Sequence, residues 1–226
     1  MTLPPITVCI PTLTDHSRGI DRHQMVKTTV LRLRQNLYYG GKITYLISGD
    51  EVVPPVDLFH DIPLDPGEVT IIPGPSRGFG ANLNHLLSRA TTDLIFQIDD
   101  DIELLQPLYL EKHALKLMQD EKAGWIRFMW IGCHYYIADL IGEYWYVRWD
   151  SREHYIPSCR AHLKHRRFHN YFGNYPEGVA TGATEHLFCQ QCKDKFDKTK
   201  EGPQVLIPLI GVLPDEAWRH NGVVRT

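Results

Sequence analysis

Three consecutive carboxylates, Asp99-Asp100-Asp101, follow the apolar run Leu94-Ile95-Phe96-Gln97-Ile98. Like charges crowded in this way repel, and the cluster persists only where a cation or many donors neutralise it. Hard divalent cations take carboxylate oxygens and commonly bridge to substrate phosphates. The plainer use of such a cluster is an acidic loop that caps the next helix. The second unusual stretch is 151–170, where Arg152, Arg160, Lys164, Arg166 and Arg167 stand against Glu153 alone, with four histidines besides. With Tyr155, Phe168 and Tyr171 interleaved, it reads either as a basic groove with stacking aromatics for an anionic acceptor such as nucleic acid, or as a solvated loop packed near a diphosphate. Cys189 and Cys192 form one CxxC; a structural zinc site needs a second pair, so they read as two thiols on one helix.

These residues need elements to hold them. Residues 6–10 are a short apolar strand ended by Pro11. A helix is expected over 21–37, with Val26, Val30, Leu33 and Leu37 on one face, stopped by Gly40-Gly41. Strands follow at 42–48, 69–72 and 93–98, with a proline-rich loop over 53–66. The glycine-rich turn 73–80 feeds a helix carrying Phe79, Leu83, Leu86 and Leu87 at helical spacing. Another helix is expected over 107–120, with Leu110, Ala114, Leu117 and Met118 turned inward. Such alternation makes an α/β fold: a mainly parallel, Rossmann-like sheet with helices on both faces. Ligands of such sheets bind at the carboxyl ends of the strands, where Asp50 and the Asp99 triplet fall. The second half reads as two or three antiparallel strands over 125–149, a polar irregular segment over 151–175, a helix over 182–193, a buried strand over 205–213 and a polar tail.

Four segments in order carry a resemblance: 6–12, ending Pro11-Thr12; Ser48-Gly49-Asp50; Ser76-Arg77-Gly78-Phe79-Gly80-Ala81-Asn82-Leu83-Asn84; and Phe96-Gln97-Ile98-Asp99-Asp100-Asp101-Ile102-Glu103. In order and spacing they resemble the nucleotide-sugar-binding half of family-2 glycosyltransferases with the GT-A fold. That resemblance implies one domain over 1–226, with a nucleotide-sugar half over about 1–122 and a small acceptor-side lobe over about 123–226. It implies a metal-dependent, inverting transfer of a sugar from a nucleotide-diphosphate donor to an acceptor hydroxyl, with Mg²⁺ or Mn²⁺ as cofactor. Pro11, Thr12, Asp50, Arg77, Gly78, Asn84, Asp99 and Asp100 are then the donor-binding candidates. Asp101 is the expected metal ligand of a D-x-D motif, with His220 as a further ligand and Arg219 beside the phosphates. The family's base belongs to an acidic pair at a helix start; here Thr184-Glu185 replaces that pair, making Glu185 the base and His186 its reserve. The acceptor stays open between a modified DNA base flipped from a duplex, a saccharide, a small molecule and a lipid head group.

Composition limits the rest. At 226 residues, with 43% hydrophobic and 23% charged side chains, this is a globular chain rather than a disordered or coiled-coil one. A net charge of −3 excludes a wholly basic nucleic-acid coat. Neither a membrane-spanning run nor a basic leader is seen, and five cysteines without a framework suggest a reducing, cytoplasmic setting. Two alternatives stand beside the transferase: a nucleotidyltransferase on a similar sheet, and a non-catalytic zinc or nucleic-acid module.

Overall fold

A computed structural model describes residues 2–12, 21–49, 54–65, 67–128, 137–150, 156–157, 159–209 and 217–220. Chain order begins with β1 (Ile6–Thr12), α1 (Arg22–Asn36), β2 (Leu37–Tyr38), β3 (Ile43–Gly49), a 3₁₀ turn at Val56–Phe59, β4 (Val69–Pro73), α2 (Phe79–Arg89) and β5 (Leu94–Gln97). It continues with β6 (Ile102–Leu104), β7 (Leu108–Tyr109), α3 (Glu111–Gln119), β8 (Ala123–Arg127), β9 (Ala138–Ile141), β10 (Tyr144–Val147) and β11 (His162–His165). The last elements are α4 (Arg167–Phe172), α5 (Thr181–Thr199), β12 (Gln204–Pro208) and β13 (Trp218–His220).

Nine strands form one sheet in the order β4-β3-β1-β5-β11-β8-β12-β10-β9. The four strands β4, β3, β1 and β5 are mutually parallel, so their carboxyl ends share one rim. From β11 onward the sheet is mixed, with only β8 and β12 parallel. Side-chain alternation sorts the core into two layers. Ile6, Val8, Ile10, Tyr45, Ile47, Leu94 and Phe96 point to one face, against Val26, Val30 and Leu33 of α1 and Ala114 and Leu117 of α3. Cys9, Leu46, Ile95 and Trp125 point to the other, against α2, α4 and α5. Strands buried on both faces read as continuous apolar runs, which is why β1 and β5 were recognisable.

The second half departs from its sequence reading. Residues 151–175 are expected to be irregular and polar, yet 162–165 form a strand in the middle of the sheet, between β5 and β8. Its side chains are His, Leu, Lys and His, and a strand with two charged or titratable neighbours around one leucine gives no apolar signal. The strands expected over 125–149 do not form one meander: β12 lies between β8 and the β9–β10 hairpin. Helix α3 begins at Glu111 rather than Pro107, because 108–109 pair with β2 instead. Met118, expected inward, is exposed. Part of the expected polar tail is a strand too, with Trp218 buried and paired to Leu104.

Candidate active site

The acidic triplet sits just past β5, on the rim where β1 and β3 also end. Ile98 N–H reaches Cys9 O at 3.2 Å, and Ile102 N–H closes a turn on Asp99 O at 3.3 Å. Aspartates suit such a turn, since their side chains bond nearby backbone. Pro11 and Thr12, both buried, pair in register with Ser48 and Gly49, so the ends of β1 and β3 wall the crevice beside the turn. Asn82, on the first turns of α2, spans them: its Nδ2 donates to Ser48 O at 3.2 Å and Thr12 O at 3.4 Å. Ser48 Oγ, Asn82 Oδ1 and Asp99 Oδ1 are enclosed with no hydrogen-bond partner among the described residues. Buried polar atoms are rarely left so, and three at one rim mark a place that accepts polar ligand groups.

The triplet is electrostatically divided. Burial pushes the Asp99 carboxyl well above its usual range, and Asp101, Glu185 and Asp100 push it further, against a smaller pull from Arg160. Asp100 is buried and raised to about 7 by desolvation, opposed by Arg22 and the Thr12 hydroxyl. Arg22 Nη1 lies 3.0 Å from Asp100 Oδ1 and 3.5 Å from Asp101 Oδ2. Part of the neutralisation that the sequence demands is therefore supplied by the first residue of α1. Thr29 Oγ1 bonds to Asp100 O and Ile102 O at 2.8 and 3.0 Å, Arg32 Nε to Glu103 at 3.0 Å, and Asn36 Nδ2 to Leu104 O at 2.8 Å. One polar stripe of α1 thus pins the acidic turn and β6.

Glu185 enters from α5, within electrostatic reach of Asp99. Its Oε1 accepts the Cys159 N–H at 2.7 Å, which fixes the carboxylate against the chain leading into β11. Helix α5 is held close to α2 by Gly80: a Cβ there would stand 1.9 Å from Pro176 O and 3.2 Å from Thr184 Cγ2. Gly78 serves differently, capping α2 at φ 86°, a conformation that favours glycine. Arg77 is exposed on the turn before α2, 3.4 Å from Glu177. Asn84 is engaged by the segment after α4: its Nδ2 donates to Tyr175 O and Glu177 Oε1, and its Oδ1 accepts Tyr175 N–H, each at 2.9 Å. In β13, Arg219 is exposed and pairs in register with Glu103, and His220 with Ile102, which carries the backbone of the tail alongside the acidic turn. Asp50 lies outside the described residues.

Of the basic tract, Arg152, His154 and Tyr155 lie outside the described residues, and three of its other cations are used internally. Lys164 is fully buried, its Nζ bonded to Gln97 Oε1 at 2.6 Å and Tyr175 OH at 3.1 Å and lying 4.8 Å from the Trp125 ring. Arg166 bonds the carbonyls of Leu87, Ala90 and Thr92, and Arg167 those of Leu117 and Asp120. Arg166 and Arg167 thus satisfy carbonyls at the ends of α2 and α3, and with the buried Lys164 they form neither a groove for nucleic acid nor a solvated loop. Cys189 and Cys192 are buried on α5 among aromatic rings, as two thiols on one helix, and burial holds the Cys192 thiol well above its usual range. Thiols so placed do not favour the zinc-module alternative.

The glycosyl transferase family 2 profile matches residues 20–177. The chain belongs to glycosyl transferase family 2. Three solved structures show its fold. S. aureus TarS 1-349 in complex with UDP-GlcNAc superposes with a TM-score of 0.60 at 12% identity, over 93% of this chain and 56% of that one. The mannosyltransferase PcManGT from Pyrobaculum calidifontis, with GDP-Man and Mn²⁺, gives 0.55 at 14% identity, over 93% and 58%. GalNAc-T7 with UDP, GalNAc and Mn²⁺ gives 0.68 at 11% identity, over 96% and 44%. The fold is GT-A, and the chain spans about half the length of these proteins. No curated protein sequence matches significantly. No described helix is long and apolar enough to cross a membrane.

Sequence reasoning missed Arg22 and Thr29, and it named Asn82 only as part of the motif 76–84 and Arg160 only as part of the basic tract. Arg22 did leave a signal. It directly follows the N-cap Asp21, where the helix dipole disfavours a cation, so it needed an anionic partner elsewhere.

Proposed function

We propose that this protein moves a sugar from a nucleotide-diphosphate donor to an acceptor hydroxyl, with inversion, and that residues 1–226 act as one GT-A unit. The observation that carries the reading is the meeting of the acidic turn with Glu185 of α5 at the carboxyl rim of β1, β3 and β5, in a family 2 chain. The neighbours bound to UDP-GlcNAc, and to GDP-Man with Mn²⁺, support a donor of this class.

The residues fit a hard divalent ion by chemistry: the turn offers carboxylate oxygens, and the enclosed Asp99 Oδ1 wants a partner. Among the described residues no three potential ligands already stand together. Asp101 would hold Mg²⁺ or Mn²⁺, with His220 as the second candidate. Bound there, the ion neutralises charge that develops on the departing diphosphate. Asp99 accepts a hydroxyl of the ribose or the sugar through its enclosed oxygen. Pro11, Thr12 and Gly78 let the nucleotide lie against the rim, while Arg77 and Arg219 offer guanidinium groups at its edge. Asn84 acts by bracing the segment 175–177 rather than by touching the donor.

An acceptor hydroxyl is a weak nucleophile at neutral pH and needs a base within hydrogen-bond reach. Glu185 is the proposed base, a role supported by a carboxylate that Cys159 N–H orients. With Lys164, Arg166 and Arg167 of the basic tract used internally, a hydroxyl on a saccharide or small molecule is the favoured acceptor. The test is a thermal-shift screen of nucleoside diphosphates and their sugar conjugates with Mn²⁺, since a ligand of the folded state raises Tm with occupancy. A rise for one conjugate is expected. No response to any of them rejects the reading, and turnover that releases pyrophosphate in place of a nucleoside diphosphate transfers it to the nucleotidyltransferases.

A further inference from the structure

Arg22 stands at the one point where α1, the acidic turn and the open rim coincide. Its guanidinium is largely enclosed, with 15% of the side chain exposed, and Asp100 beneath it is more enclosed still, at 6%. A long cationic side chain reaches such a position only if something holds it there. Asp100 does so through the 3.0 Å contact of its Oδ1. The same nitrogen is 3.5 Å from Asp101 Oδ2, so the cation spans its buried anchor and the neighbouring carboxylate. The anchor is itself immobile: Thr29 ties the Asp100 and Ile102 carbonyls to α1.

We propose that Arg22 is a fixed cationic contact for the donor's diphosphate, and that Asp100 is its positioning residue. The inference rests on the glycosyltransferase reading above and deepens it. Guanidinium groups pair with phosphate oxygens through two parallel hydrogen bonds, and those contacts are strongest where water is scarce. Nη1 of Arg22 is committed to Asp100 and Asp101, and among the described residues its other donors meet no partner, which leaves them for an anion brought to Asp101. Asp100 accordingly moves from the donor-contacting residues to those that orient one. A neutral pair buried at this place would cost less than an ion pair does, so the pair is retained for what the arginine reaches.

The experiment titrates uridine and guanosine diphosphates, by calorimetry, into the whole chain with Mn²⁺. If wild-type protein binds neither, nor any other nucleoside diphosphate, the glycosyltransferase reading itself fails. Given binding of one, Arg22→Gln is expected to weaken it at least tenfold, and Asp100→Asn to weaken it comparably. The double variant should be no worse than either single change, because both remove one contact. Arg22→Lys should recover a few-fold of the loss by restoring charge without the fork. Millimolar guanidinium added to Arg22→Ala should restore affinity, which a merely structural defect would not allow. An Arg22→Gln protein of near-native Tm that binds within twofold of wild type overturns the proposal. So does additivity of the two single changes. Should Arg22→Gln fail to fold, Arg22→Lys decides alone: unaltered affinity refutes the need for the fork, and a loss supports it.

Discussion

Two carboxylates with different surroundings divide the work at the residue scale. Asp101, with 14% of its side chain exposed, lies next to Arg22, while Glu185 comes from another element and is held by a backbone donor. Removing the first should abolish metal-dependent donor binding: Asp101→Ala is expected to show no Mn²⁺-induced rise in nucleotide affinity, measured by calorimetry with and without EDTA. Glu185→Gln keeps the shape and the hydrogen bond from Cys159 but removes the proton acceptor. Donor affinity should stay within about threefold, while turnover falls by about 10²–10⁴, the usual worth of a general base. Unchanged turnover in that variant would remove Glu185 from the role. The acidic residues were legible as candidates because three aspartates after an apolar run stood in register with three other segments of the family's pattern, which the triplet alone could not have decided. Their partners were not, because Arg22 and Arg160 lie 78 and about 60 positions away in sequence and pairing of that range leaves no periodic trace.

At the scale of elements, the parallel half could be read because each strand is buried on both faces and each helix shows a 3.6-residue apolar stripe. The stripe of α1 was recognised through Val26, Val30 and Leu33, but its polar stripe was not. Arg22, Thr29, Arg32 and Asn36 recur on the side that meets the turn, so α1 acts as a strut for the site as well as a cover for the sheet. Strand β11 escaped notice for the opposite reason. It buries Lys164 and His162 through hydrogen bonds and ring stacking, Trp125 lying 3.7 Å from the His162 ring, and hydropathy cannot see that route to burial. A prediction belongs here. Gly80 sets the spacing of α2 and α5, the second of which carries Glu185. Its replacement by alanine would drive a methyl into Pro176 O, a backbone atom that cannot simply rotate away. Overpacking of this kind costs about 1–3 kcal/mol, which for a chain of this length lowers Tm by roughly 2–4 °C for each kcal/mol. A calorimetric scan checks it, and an unchanged Tm would show that the two helices part freely.

For the molecule as a whole, the decisive feature is how many bases it buries uncharged. Burial lowers His113 to about 3 and His165 to about 4, and holds His162 and His169 well below their usual value. In the unfolded chain each titrates near 6.5. Between that value and the folded one the unfolded state binds more protons, so stability is present above about pH 6.5 and is lost as pH falls. Each such proton steepens the loss by at most about 1.4 kcal/mol per pH unit. Asp99 and Asp100 act in the opposite sense, because burial raises both: Asp100 lets the folded state hold a proton between about pH 4 and 7, and Asp99 does the same above its usual range. Four histidines against two aspartates leave the acid side destabilising. Lys164, lowered to about 7 by burial, extends the trend upward: from pH 7 the unfolded chain still carries a proton that the folded chain has released, and stability keeps rising. Above about pH 9 three buried thiols together reverse the slope, Cys9, raised to about 12, and Cys159 and Cys192, both held well above their usual range, since only the unfolded thiols ionise there and they outnumber the one lysine. Urea midpoints should therefore climb from pH 5 to a maximum between about 8 and 9, then fall. Lys164→Met removes the contribution of one group only. Its curve should follow the wild type's shape below pH 6.5 and lose the rise between 7 and 9. A wild-type profile that is flat across pH 5–7 would mean that the histidines stay hydrated and charged in the folded protein.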